Sequence, residues 1–140
     1  MPSIAKQFAE LYDKALIRFQ NSSLRSTDFP DLSANEEHYI DLLYDLGKTT
    51  LTAFSRKAKI SKPAATRIIH SFLDKGYLSK TPSQTDKRVS YLELNAELQE
   101  HCRKNLELAD TIFLDMLSVL DEKERKQLAY LINKVNKEFR

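Results

Sequence analysis

Ile4, Phe8, Leu11, Tyr12, Ala15, Leu16 and Phe19 recur at steps of three and four, so the spacing predicts an amphipathic helix over about 4–22. The segment "NSSLRSTDFPDL" breaks that period and reads as a loop. Ser33 followed by Glu36 forms a capping box, which opens a second helix carrying Ile40, Leu43 and Leu46 and stopping at Gly47. Thr50 caps a short helix, "LTAFSRKAK", and Ser61 caps another, "KPAATRIIHSFLDK", ended by Gly76. Pro63 lies in the first turn of that helix, where its missing N–H loses no helix bond. The two short helices separated by "KIS" carry a helix-turn-helix signal.

After Gly76 the period changes to two. "YLSK" and "VSYLEL" read as strands joined by the polar tip "TPSQTDKR", a β-hairpin. Asn95 caps a long helix with the apolar series Cys102, Leu106, Ala109, Ile112, Phe113, Met116 and Leu120. Asp121 with Glu124 caps a last helix carrying Leu128, Leu131, Ile132, Val135 and Phe139. The predicted fold is mainly α with one small β-hairpin, in a chain of 140 residues, a length that favours a single domain over 1–140.

Composition narrows the class. Only two glycines are present, too few for a fold rich in tight turns, and the lone Cys102 excludes an intrachain disulfide and a cysteine-based zinc cluster. A single thiol fits a reducing cytoplasm. The opening "MPSIAKQFAELYDKAL" lacks the apolar core of a signal peptide, and no run approaches the roughly 18 apolar residues of a membrane span.

The net charge of +2 conceals an asymmetry. Between Thr49 and Ser90 nine basic side chains face two acids, a local excess of seven positive charges that leaves five net negative charges for the rest. A basic centre between acidic flanks suits a polyanion-binding lobe on a neutral or acidic scaffold.

The residues of that centre are laid out for DNA. Ala65, Ile68, Ile69 and Phe72 make one apolar stripe, while Pro63, Thr66, Arg67 and His70 share the opposite face, with Ser61 and Lys62 at its N-terminal end. A groove-reading helix needs one packed face and one hydrogen-bonding face, with its N-terminal residues leading. Arg67 can donate two bonds to a guanine edge, Thr66 and Ala64 can touch a thymine methyl, and Ser61 with the first amides can hold a phosphate. In the hairpin, Arg88 can enter a minor groove, Asp86 can brace it or the tip backbone, and Lys80 and Lys87 can add phosphate contacts. Taken alone, the helix face and the charged turn are each also compatible with plain solvated surface.

A helix-turn-helix followed at once by a hairpin with a basic tip resembles the MarR family of bacterial transcription regulators. The match rests on "SKPAATRIIHSFLDKGYLSK", on Asp86-x-Arg88 in the wing, and on "VSYLEL" leading to Asn95. The resemblance implies a winged helix-turn-helix lobe over 33–94, with a recognition helix at 62–75 and a wing at 79–90. It also implies dimerisation helices at 1–24 and 95–140. Arg88 then corresponds to the minor-groove arginine and Asp86 to its bracing acid, with Ser61, Lys62, Pro63, Thr66 and Arg67 at recognition positions. The chain departs from the family in three places. Asn95-Ala-Glu-Leu98 stands for a usual Thr-x-x-Gly, Ser55 for a small apolar residue, and Ala65 for a frequent β-branched one.

The resemblance further implies a cytoplasmic homodimer on a near-palindromic operator, most often a repressor responsive to a small molecule. Tyr12, Tyr39 and Phe113 are candidates for an effector pocket, although aromatic residues placed like these are more often plain core. Cys102 falls in an apolar series and reads as packing rather than a redox switch. A regulatory zinc is not expected, because Glu100, His101 and Cys102 are consecutive and point apart on a helix, with His38 and His70 elsewhere. No cofactor is expected. No Ser-His-Asp order, phosphate loop or ligand cluster speaks for an enzyme. One rival from another class remains: a winged-helix module that binds a partner protein and no longer reads DNA.

Overall fold

The structure, a computed structural model, describes residues 1–140. Its elements are α1 (Ile4–Asn21), α2 (Ala34–Leu46), α3 (Leu51–Ala58), α4 (Lys62–Asp74), β1 (Leu78–Pro82), β2 (Ser90–Leu94), α5 (Ala96–Leu117) and α6 (Glu122–Glu138). The order is the expected one, and side chains at the helix starts explain why. Ser33 and Asp121 each complete a capping box, while Thr50 and Ser61 each accept from the amide three residues on. Asn95 does more than cap: its Oδ1 accepts from Leu98 N at 2.7 Å, and its Nδ2 donates to Gly76 O at 2.8 Å. Asn95 thereby ties the start of α5 to the turn that ends α4. Gly76 makes that turn at a φ of +76°, where a Cβ would be strained.

The chain divides into two compact units, Ser26–Asn105 and Met1–Arg25 with Leu106–Arg140. In the first, β1 and β2 pair antiparallel from Leu78 opposite Leu94 to Pro82 opposite Ser90. Thr49 adds a short third edge, exchanging two backbone bonds with Leu92 (2.9 and 2.6 Å). The core below is built from Ile40, Leu43, Phe54, Ile69, Phe72, Leu78, Leu92, Leu94 and Leu98. Phe54 and Phe72 are fully enclosed. Burying each such side chain stabilises the unit by about 1.5–3 kcal/mol, and this fixes α4 by its apolar stripe.

Two boundaries differ by more than one residue from the sequence reading. β1 continues through Thr81 and Pro82, so the tip shortens to 83–89; proline is tolerated because it ends an edge strand. α5 stops at Leu117 rather than running to Leu120. Ser118 Oγ donates to Asp115 O at 2.6 Å, taking a carbonyl that helix continuation would use.

In the second unit neither α1 nor α6 has a buried residue. Phe8, Leu11 and Tyr12 on α1, Phe113 and Leu114 on α5, Leu131 and Val135 on α6, and Phe139 just after it all stand exposed. Arg18 of α1 is paired with Asp115 of α5. No helix is long and apolar enough to cross a membrane.

Candidate nucleic-acid interface

The polar side of α4 follows from the burial of its other side. Ala65, Ile69 and Phe72 are buried, which turns Lys62, Pro63, Arg67 and His70 outward and leaves Ala64 and Thr66 half-buried. Ser61 Oγ accepts from Ala64 N at 3.2 Å, so one amide of the first turn is occupied. Lys75 Nζ, at the far end, donates to Glu36 Oε2 at 2.8 Å and locks α4 to the start of α2. That bond is the main cause holding the Glu36 carboxyl below its usual range and the Lys75 ammonium above its own.

The wing tip is closed by its own polar residues. Ser83 N donates to Val89 O at 2.9 Å, and Ser83 Oγ accepts from the amides of Thr85 and Asp86. Asp86 accepts from Arg88 N at 3.0 Å and from Nε at 3.2 Å, both on Oδ1, and from a terminal guanidinium nitrogen at 3.2 Å on Oδ2. Arg88 is the chief reason the Asp86 carboxyl sits below the ordinary range. The Arg88 side chain nonetheless remains 90% exposed, so it is oriented without being covered. Lys80 and Lys87 are exposed beside it.

Between α4 and the wing lies a cleft of about 340 Å³. It brings together Thr66, His70, Lys80 and Arg88 from the predicted set with Thr50 and Thr52 from the start of α3. Ser61, Lys62, Pro63, Ala64, Arg67, Asp86 and Lys87 lie outside the cleft lining, on the N-terminal end and outer face of α4 and on the wing tip. Thr50 and Thr52 were absent from the sequence reading as site residues. Their signal was the cap itself, since a helix that starts under the sheet edge turns its first polar residues toward the wing.

The remaining candidates sort by burial. Tyr39 packs edge-on against Phe54 in the core (centroids 5.9 Å apart), whereas Tyr12 and Phe113 are exposed in the other unit. His38 and His70 are exposed, but His101 is buried. Its Nδ1 lies 2.7 Å from Ser26 Oγ and its Nε2 lies 3.1 Å from Glu37 Oε1. Both ring nitrogens are therefore engaged, a polar network that the sequence reading missed. No group of three or more His, Cys, Asp or Glu side chains is placed to hold a metal ion. Cys102 is buried, and loss of hydration, followed by the nearby Asp41 charge, pushes its thiol up to about 12.

Residues 32–90 match the family model described as MarR family. No functionally curated protein matches the sequence significantly. Among solved structures, the chain is similar to FabT of Streptococcus pneumoniae in complex with DNA, at 19% identity and a TM-score of 0.77, over 96% of this chain and 93% of that one. It is also similar to MepR of S. aureus bound to ethidium bromide (13%, TM-score 0.70, 99% and 98% covered). A third is mutant MarR from E. coli complexed with operator DNA (20%, TM-score 0.57, 94% and 92% covered). At these identities the structural likeness establishes the shared fold.

Proposed function

We propose, from the match of residues 32–90 to the MarR family model, that the chain is a sequence-specific DNA-binding transcription regulator acting as a homodimer. The observation that carries the proposal is the pairing of two differently built faces across one cleft. One is the polar face of α4; the other is the Asp86-held guanidinium of Arg88. In this mechanism α4 enters the major groove, with Ser61, Lys62, Pro63, Ala64, Thr66 and Arg67 leading and His70 following. Arg67 reads a guanine edge, and Thr66 and Ala64 meet thymine methyls. The wing reaches the adjacent minor groove through Arg88, while Lys80 and Lys87 neutralise phosphates.

The exposed apolar faces of α1, α5 and α6 support the dimer, since such faces on a lone chain call for a partner. A two-fold dimer sets its recognition helices about 34 Å apart, one DNA turn, and calls for a near-palindromic site. MepR is bound to ethidium bromide, which supports a regulator that responds to a small molecule, in the manner of a repressor released by its ligand. Action by binding alone requires no cofactor and no bond-making chemistry, and its compartment is the bacterial cytoplasm. The rival reading, a winged helix that binds only protein, is disfavoured by the positive excess between Thr49 and Ser90.

The test is selection of bound duplexes from a randomised DNA pool at low and near-physiological salt. Recovery of a near-palindrome with half-sites about one turn apart supports the proposal. Absence of retention at both salts would sink it in favour of the protein-interaction module.

A further inference from the structure

Lys59 is the one non-glycine residue whose backbone lies in the left-handed region, at φ 56° and ψ 43°. It closes α3, two residues before Ser61 caps α4. The chain's other two positive-φ positions, Gly47 and Gly76, both use glycine. A left-handed C-terminal residue is a position glycine fills best, because a Cβ crowds the carbonyl.

The turn does not need the lysine side chain. It is held by Lys59 N to Arg56 O (3.2 Å), by Ile60 N to Ser55 O (3.2 Å), and by Ser55 Oγ to Ile60 O (2.8 Å). Nor does the ammonium find a partner in the fold: Lys57 pairs with Asp45 and Lys75 with Glu36, but Lys59 is exposed and makes no ion pair or side-chain hydrogen bond. An unfavourable backbone conformation retained with an idle charge is an outlier that calls for an external role.

We propose that Lys59 is a DNA phosphate contact. Its ammonium meets a phosphodiester oxygen flanking the major groove, beside the N-terminal end of α4. The inference rests on the DNA-reading proposal and deepens it. With Lys62 one residue past the cap, Lys59 would fix how deeply that end of α4 enters the groove, without reading sequence.

The experiment compares Lys59→Gly and Lys59→Gln with wild type on one duplex, by fluorescence anisotropy between 50 and 200 mM salt and by thermal unfolding. Each lost phosphate contact lowers the slope of log K against log salt by about 0.9, so a dimer that loses two shows a slope lower by about 1.8 and an affinity deficit that shrinks about 12-fold over that range. Both variants are expected to show this change on every sequence. Lys59→Gly is also expected to melt a few degrees higher, because the strain is relieved. Lys59→Gln, which keeps the Cβ, should show no such rise. A wild-type slope in both variants would reduce Lys59 to a solvated side chain. A fall in Lys59→Gly alone would assign the loss to a loosened turn and equally overturn the contact. If wild type itself retains no DNA at low salt, the DNA reading fails first and this assignment falls with it.

Discussion

Asp86 holds Arg88 by three separate bonds, one to its backbone amide and two to its guanidinium, while leaving the arginine side chain open to solvent. An exposed arginine ordinarily samples many rotamers and loses them on binding. Here the carboxylate has already selected an arrangement, so less ordering would remain for the DNA contact proposed for it. The acid on this otherwise basic tip thus serves the base beside it.

Replacing Arg88 by Ala is expected to weaken binding on all sequences alike and to lower the salt slope by about one per half-site, about two for the dimer. Arg88→Lys should not restore the wild-type affinity, because one ammonium cannot reproduce the two-nitrogen grip on Asp86. A salt titration by fluorescence anisotropy reads both. Equal binding by Arg88→Lys and wild type would mean that charge alone matters at this position.

The same pair predicts a pH profile. The folded Asp86 carboxyl lies below its unfolded value, so its contribution to wing order is complete above about pH 4 and is lost as pH falls through the lower folded value. The backbone amide exchange of residues 86–88 should therefore be constant between pH 5 and 7 once corrected for intrinsic exchange rate. Loosening of the wing within that interval would contradict the assignment.

Arg67 stands on the outer face of α4, where a base-edge contact is a matter of register rather than charge. Arg67→Ala should cost roughly 1–3 kcal/mol per half-site on the preferred duplex and relax preference at one base pair in each. Sequence selection with the mutant checks it. A uniform loss with unchanged base preference would reassign Arg67 to the backbone.

Much of this was legible in the chain, because local signals and packing agree. The apolar period of α4, its serine cap and the following Gly76 each specify the same helix. Arg88 and Asp86 were legible together because a bracing pair two residues apart needs no tertiary information. What escaped depends on residues distant in sequence. Nothing local says that Thr49 pairs with Leu92, or that His101 meets Ser26 and Glu37. Ser55 looked like a departure from a small apolar residue, yet its hydroxyl holds the turn at Ile60. The left-handed Lys59 was invisible because a lysine gives no sign of positive φ.

Cys102 offers a chemical check on the core. Burial pushes its thiol to about 12, so the reactive thiolate is scarce at neutral pH. Labelling by a thiol reagent should be slow in the folded protein and fast in denaturant. The folded value lies above the unfolded one, so the thiol's contribution to stability is complete below about pH 8.5 and declines as pH rises toward 12. Rapid labelling of the folded protein at pH 7 would place Cys102 at the surface instead.

The network around His101 should behave as a unit. Ser26 meets the ring through Oγ at 2.7 Å and is itself held through its amide, which donates to Asn105 Oδ1 at 2.9 Å. Ser26→Ala leaves Nδ1 buried without its partner, and such a loss costs about 1–3 kcal/mol. His101→Leu removes the ring's polar atoms together, but the Glu37 carboxylate, still half-exposed, can turn to water. In the double variant Ser26→Ala no longer strands a ring nitrogen, so the two losses should fall short of their sum by about 0.5–3 kcal/mol. Urea unfolding of the four proteins measures the coupling, with equal m-values as the condition for comparison. Strict additivity would mean that the 2.7 Å contact contributes nothing and that Glu37 is the ring's one energetic partner.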